Sequence, residues 1–249
     1  MDLHYEVHGT GEAIVLIHCG GTDLRNWQFI IPPLSQLYRV IALDARGAGK
    51  SPPLIEAANY VEDLTKLLDQ LGIDKAVFVG HSIGGQVATD FALSYPQKVS
   101  KLVLIAPALT GFEFSSAYQQ WTQQVMAAAP NVEKMVMLTL TSPMYRVVMS
   151  SPQRDFLVEM MKHNTQRVLE WQTFDMIWPQ PPASTRLSQL KTNTLLIIGK
   201  EDGEDLWRIA ELFQQVPDIQ FAYIEGADHL PTLTHPNEIS CLITDFLNN

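Results

Sequence analysis

Cysteine is nearly absent from this chain: Cys19 and Cys241 are the only two among 249 residues and fall in unlike segments. That scarcity excludes a disulfide-stapled fold and predicts two free thiols. Runs of basic residues are missing altogether. With 17 Lys and Arg against 27 Asp and Glu, the formal charge is -10, so neither nucleic acid nor an anionic membrane surface is expected as a partner. No window approaches 18 uninterrupted apolar residues, and the opening MDLHYEVHGTGE has neither a basic start nor an apolar stretch. No membrane span or signal peptide is expected, and the chain reads as soluble and cytoplasmic. Charge is sparse at 18%, whereas hydrophobic residues make up 46%, enough for a sizeable core in one α/β domain carrying an insertion.

Apolar runs bounded by turn residues recur at 13–19, 39–45, 76–81, 101–106, 194–199 and 219–225. Their continuous hydrophobicity predicts strands buried on both faces. Residues 3–8, closed by Gly9 and Gly11, read as an antiparallel edge strand. Helical patterns lie between the runs at 57–71, 84–94, 205–215 and 237–246, so strands alternate with helices as in a mostly parallel sheet of about seven to eight strands.

The alternation stops between Gly111 and Ala183, where the pattern predicts consecutive helices and no strand. The expected division is a core of 1–110 and 184–249 with a helical cap, or lid, at 111–183. Eight of the nine methionines fall in this segment, together with Trp121, Trp171 and Trp178. Thioethers and aromatics at this density suit an adaptable apolar cavity, and Trp121, Met126, Met144 and Trp178 are its candidate wall residues.

The strand reading AVFVG ends in Gly80-His81-Ser82-Ile83-Gly84 and runs directly into a helical pattern. Gly-x-Ser-x-Gly arises by chance in about one chain in ten of this length; a strand before it and a helix after it make it a nucleophile elbow, with Ser82 standing clear of the backbone between small neighbours. A serine hydroxyl is a weak nucleophile without an adjacent base. His229, in a short loop after the last strand, has the near-neutral titration that proton shuttling needs. A carboxylate must orient that imidazole, and on charge alone Glu201, Asp202, Glu204 and Asp205 all qualify.

Four motifs in order are similar to those of the α/β-hydrolase superfamily: His18-Cys19-Gly20-Gly21, Asp44-Ala45-Arg46-Gly47-Ala48-Gly49-Lys50-Ser51, the turn around Ser82, and Gly199-Lys200-Glu201-Asp202 paired with Gly226-Ala227-Asp228-His229. The resemblance covers nearly the whole chain, the 111–183 segment least. It implies an α/β-hydrolase fold and a Ser82, His229, Asp202 triad, the acid lying three residues past the glycine that ends its strand. It also implies an oxyanion hole made by the backbone N–H groups of Ile83 and Gly20. Cys19 stands where the family usually has glycine, and the loop after Asp202 lacks a proline that members often carry. Cys19, Gly21, His81 and Leu230 join the candidate pocket.

Gly47-Ala48-Gly49-Lys50-Ser51 looks like the end of a phosphate-binding P-loop, but Asp44 occupies the position of its first glycine and Pro52 and Pro53 prevent the helix it should open. The expected activity is therefore serine hydrolysis of a small-molecule carboxylic ester with a small to medium, largely apolar acyl group, without metal or cofactor, by a monomer or homodimer. The same resemblance admits enol-lactone or C–C bond hydrolysis, perhydrolysis and lyase chemistry. A ligand-binding, receptor-like protein with slow or single turnover is the alternative of another class.

Overall fold

Each buried apolar run becomes a strand of one sheet in the computed structural model, which describes residues 2–249. The strands are β1 Tyr5–His8, β2 Ala13–Ile17, β3 Arg39–Leu43, β4 Ala76–His81, β5 Val99–Ile105, β6 Thr194–Gly199 and β7 Gln220–Ile224. Their order is β1-β3-β2-β4-β5-β6-β7; β1 pairs antiparallel with β3 and every other pairing is parallel. The sheet has seven strands, the lower of the two numbers expected. Helices, in chain order, are α1 Ile31–Leu34, α2 Tyr60–Leu71, α3 Ile83–Ser94, α4 Ser116–Ala127, α5 Val132–Leu140, α6 Arg146–Met149, α7 Arg154–Val168, α8 Glu204–Phe213, α9 Pro231–Thr234 and α10 Pro236–Asn248.

Alternation along the strands divides the core in two. Ile14, Leu16, Val77 and Val79 face one side with Trp27 and the α10 residues Ile239 and Ile243. Val15, Ile17, Phe78 and Leu104 face the other, with α2, α3, α8 and part of the 111–183 segment. With helices on both faces, β2, β4 and β6 are buried at every position, which is why their sequences show no polar alternation.

Two boundaries differ from the pattern. β5 starts at Val99 rather than Lys101 because Val99 pairs with Ala76, across a register shift before Phe78. α2 begins at Tyr60, three residues late: the Asn59 side chain accepts the Glu62 N–H at 3.1 Å and caps it. The residues ahead of that cap take a different partner. Leu54 and Ala58 run beside 172–177, with Gln172 N–H to Leu54 O at 2.8 Å, Ala58 N–H to Asp175 O at 3.1 Å and Ile177 N–H to Ala58 O at 2.8 Å.

Residues 111–183 lie between β5 and β6, and helices occupy them only as far as Val168. Beyond it the chain is extended and makes one isolated parallel bridge, Met176 to Ala58, where consecutive helices were expected. The backbone bonds to 54–58 replace helical ones there. α7 turns Leu157, Met160, Met161 and Asn164 inward, the spacing of one helical face. Asn164 carries the main polar tie to the core, donating to Asp23 Oδ2 at 2.8 Å and accepting from the Gly49 N–H at 2.9 Å. Among the described residues no helix is long and apolar enough to cross a membrane.

Asn164→Ala would leave the buried Gly49 N–H without its acceptor and remove one of two donors to Asp23 Oδ2, which keeps Arg25 at 2.7 Å. It is expected to destabilise the fold by about 1–3 kcal/mol, read as a lower urea midpoint with an unchanged slope. A midpoint equal to wild type would show that this tie carries no stability.

Candidate active site

β4 and α3 approach each other too closely for side chains at the turn between them. A Cβ on Gly80 would lie 2.3 Å from the Gly84 carbonyl oxygen, and one on Gly84 would lie 2.2 Å from the Ile17 carbonyl oxygen. Ser82, between them, adopts φ 55° and ψ -116°, a conformation that costs an L-residue about 1–3 kcal/mol. The surroundings hold it there: its N–H donates to Ile105 O at 2.9 Å, and its carbonyl accepts from Gln86 and Ala108 at 3.0 and 2.9 Å.

His229 follows β7 and is held at both ends of its own backbone. Its N–H donates to Met144 O at 3.1 Å, and its carbonyl accepts from His81 Nε2–H at 2.7 Å. The preceding residue, Asp228, is fully buried and accepts the N–H groups of Val147, Val148 and Leu230 at 2.7, 2.9 and 3.1 Å. The imidazole so placed has Nε2 3.0 Å from Ser82 Oγ and Nδ1 3.0 and 3.2 Å from the two carboxylate oxygens of Asp202. Facing a carboxylate, Nδ1 carries the proton, which leaves the Nε2 lone pair for the serine hydroxyl.

Of the four acidic candidates, only Asp202 reaches the histidine. Its Oδ1 also accepts the Gly203 N–H at 2.7 Å. Glu201 pairs with Arg146 at the surface, Glu204 is exposed, and Asp205 accepts from Ser115 Oγ and Arg208, both at 2.7 Å.

Gly20 lies next to Ile83, close enough that a Cβ on it would stand 3.7 Å from Ile83 Cγ2. The loop carrying it is tied down by His18, whose Nδ1–H donates to Cys19 O at 2.8 Å and whose Nε2 accepts the Ala45 N–H at 3.0 Å. Among the described residues, neither the Gly20 nor the Ile83 N–H has an internal acceptor, and Ile83 opens α3. Two unpaired N–H groups, one at the positive end of a helix, form a site for developing negative charge.

Cys19 is buried, its thiol donating to Gly20 O at 3.5 Å. Its sulfur lies with His81 and His229 ring nitrogens in a group spanning at most 4.8 Å, a spacing a metal could bridge. The nitrogens are already engaged: His81 bonds His229 O through Nε2 and Asn26 Nδ2 through Nδ1, and His229 bonds Ser82 and Asp202. The set is a hydrogen-bonded cluster rather than a free ligand field.

The pocket candidates separate. Gly21 is exposed beside Met161. Met144 is buried and touches His229 through its carbonyl, and Leu230 is buried in the core. His81, expected to line the pocket, is fully buried and points at the His229 backbone. Met126 is 45% exposed on α4. Trp121 braces α4 on α5 through its N–H to Leu138 O at 3.1 Å, and Trp178 packs on Tyr60. The cavity beside the site, about 110 Å³, takes Gly21 from these candidates, with Trp171, Met176 and core residues such as Ile17, Leu43 and Leu64. Tyr145 was also missed; its ring stands edge-on to His229 at 6.3 Å. No periodicity marks these residues, because Trp171 and Met176 lie in extended chain and Tyr145 in a single 3-10 turn.

Burial disfavours a charge on His229, but the Asp202 carboxylate beside it, with help from Cys19, outweighs burial and lifts its pKa well above the usual 6.5. Burial and the neighbouring His229 push His81 down to about 3, so it stays neutral. NMR titration of the ring protons should therefore show His229 deprotonating above pH 6.5 and His81 silent through the neutral range. In Asp202→Asn the main raising partner is gone while burial remains, and the His229 midpoint should fall; a midpoint unmoved by that change would deny the coupling.

Residues 12–236 match the family model described as alpha/beta hydrolase fold. The 2-hydroxy-6-oxo-6-phenylhexa-2,4-dienoate hydrolase of Burkholderia cepacia is 30% identical over 99% of this chain and 91% of its own. The dihydrolipoyllysine-residue acetyltransferase component of an acetoin cleaving system from Cupriavidus necator is 38% identical over 118 residues, which are 45% of this chain and 31% of that protein. A solved hydrolase from Pseudomonas aeruginosa superposes with a TM-score of 0.81 at 24% identity, covering 99% of this chain and 94% of that one.

Proposed function

We propose that this chain, which belongs to the α/β-hydrolase family, hydrolyses carboxylic esters through an acyl-enzyme on Ser82. The observation carrying this reading is the continuous line from Ser82 Oγ through His229 to Asp202, with steps of 3.0 and 3.0 Å. Ser82 Oγ attacks the ester carbonyl carbon as its proton passes to His229 Nε2. The tetrahedral oxyanion accepts from the Ile83 and Gly20 N–H groups, each such donor being worth about 3 kcal/mol. Collapse breaks the bond to the alcohol, which leaves with the proton from His229. Water then gives a proton to His229, attacks the acyl carbon, and the acid departs as Ser82 regains its hydrogen. Asp202 stays ionised throughout and stabilises the imidazolium. The 111–183 segment is the lid over this site, and the substrate is a small molecule.

C–C bond hydrolysis is the second reading, favoured by the Burkholderia cepacia relative, whose substrate is by name a dienoate. A carboxylate in the cavity would need a free cation. The arginine that lines it, Arg46, already pairs with Asp63 at 2.8 and 2.9 Å and with Asp2 at 3.1 Å, which favours a neutral ester.

Ser82→Ala should lower turnover of a p-nitrophenyl ester by about 10⁴-fold or more in a folded protein. Asp202→Ala should cost several orders of magnitude and Glu201→Ala almost nothing; the reverse ranking would move the acid by one residue. Because His229 must be neutral to act as base, kcat/KM should fall on acidification with a midpoint above 6.5. An acid limb at or below 6.5 would contradict the environment described for His229.

A further inference from the structure

We infer that the cavity of about 110 Å³ beside the site is the seat of the acyl chain, and that it accepts a neutral straight chain of about four to six carbons. The inference rests on the ester-hydrolase reading above and adds which half of the substrate is selected, and what ends the selection.

Placement decides the half. Gly20, Ile83 and Gly84 line the cavity, whereas Ser82 and His229 do not. A departing alcohol takes its proton from His229 Nε2 and so must leave along the histidine side. The acyl chain, which stays on the carbon bonded to Ser82, is then the group directed away from His229, toward the cavity that Gly20, Ile83 and Gly84 line.

Size and chemistry decide the chain. An apolar cavity of about 150 Å³ holds benzene, so 110 Å³ matches a chain of about four to six carbons. Its walls include Leu43, Leu64, Val87 and Val168, and each methylene buried against such surface is worth about fourfold in affinity. The Arg46 and Asp63 side chains at the wall neutralise one another, and a chain bearing its own charge would find no partner.

One wall of the cavity is built from the extended segment after α7, and we take it as the stop for the chain. Gly47 has φ 87°, and a Cβ on it would lie 2.3 Å from Leu54 Cδ1 and 2.7 Å from Trp171 Cζ2. Trp171 is locked against this bare backbone, its indole N–H donating to Gly47 O at 3.1 Å. The strand-like bonds of 172–177 to 54–58 hold the tryptophan in place. A longer chain would have to displace Trp171.

The test compares p-nitrophenyl esters from acetate to decanoate on wild type, Leu64→Ala and Val168→Phe, with a parallel series of butanoates whose alcohols lengthen instead. Expected is a kcat/KM that rises about fourfold per methylene to a maximum at four to six carbons. Leu64→Ala should move the maximum one or two carbons longer and Val168→Phe should move it shorter, while neither changes the alcohol series. A maximum that ignores both variants, or an alcohol series that shifts in place of the acyl series, overturns the seat. Calorimetry with straight-chain alkanamides on Ser82→Ala protein reads the same seat without chemistry. Affinity peaking at that length and shifting in the two variants, when the wild-type enzyme turns over no ester of either series, overturns the hydrolase reading alone. Affinity with no length optimum overturns the seat whatever the turnover.

Discussion

The site depends on one steric constraint, the contact-distance approach of α3 to the ends of β2 and β4. A methyl group at Gly80 or Gly84 would overlap backbone oxygens by more than 1 Å at van der Waals separation. Because the strand and helix meet without side chains, the connecting residue must reverse the chain in a single step, and Ser82 takes a positive φ to do so. From that reversal come the half-buried hydroxyl standing clear of its neighbours, the free Ile83 N–H at the helix start, and the proximity of Gly20. The strain is small beside the packing of three central strands that are buried at every position.

Electrostatics at the site is a contest between burial and pairing, with a different winner for each histidine. His229 is as deeply buried as a charged group can be, yet Asp202 tips it toward protonation. His81, 5.4 Å away ring to ring, has no carboxylate and stays neutral. That difference separates their roles: a neutral imidazole with fixed Nε2–H donates to the His229 carbonyl, and the paired imidazole is the one suited to exchange protons. Most remaining ion pairs, such as Lys66 with Glu62, lie at the surface, where such pairs contribute little.

The 111–183 segment is bound to the core beside the Ser82, His229 and Asp202 cluster. Met144 accepts the His229 N–H, Asp228 holds the start of α6, and Asn164 joins α7 to Asp23 and Gly49. His229 and the insertion are thereby one mechanical unit, so displacing α6 disturbs His229 directly. The extended stretch through Trp171 and Met176, by contrast, is held by a few backbone bonds to a loop.

What the sequence determined by itself was encoded locally: six strands from continuous apolar runs, the flanking helices from their period, and the Ser82 turn from glycines that a strand-to-helix reversal requires. Ser82 could be picked out by its turn and His229 by its place after the last strand, although 147 residues separate them, whereas Asp202 was singled out only by the family resemblance. Tertiary structure alone decided which of four adjacent acids meets the imidazole, because one residue of shift sends Glu201 to solvent and Asp202 inward. It also moved the pocket wall from Trp121, Met126 and Trp178 to Trp171 and Met176, and turned His81 from the pocket to the backbone of His229. In those places the deciding contact lies between segments far apart in the chain, and no local period or propensity reports a contact of that kind.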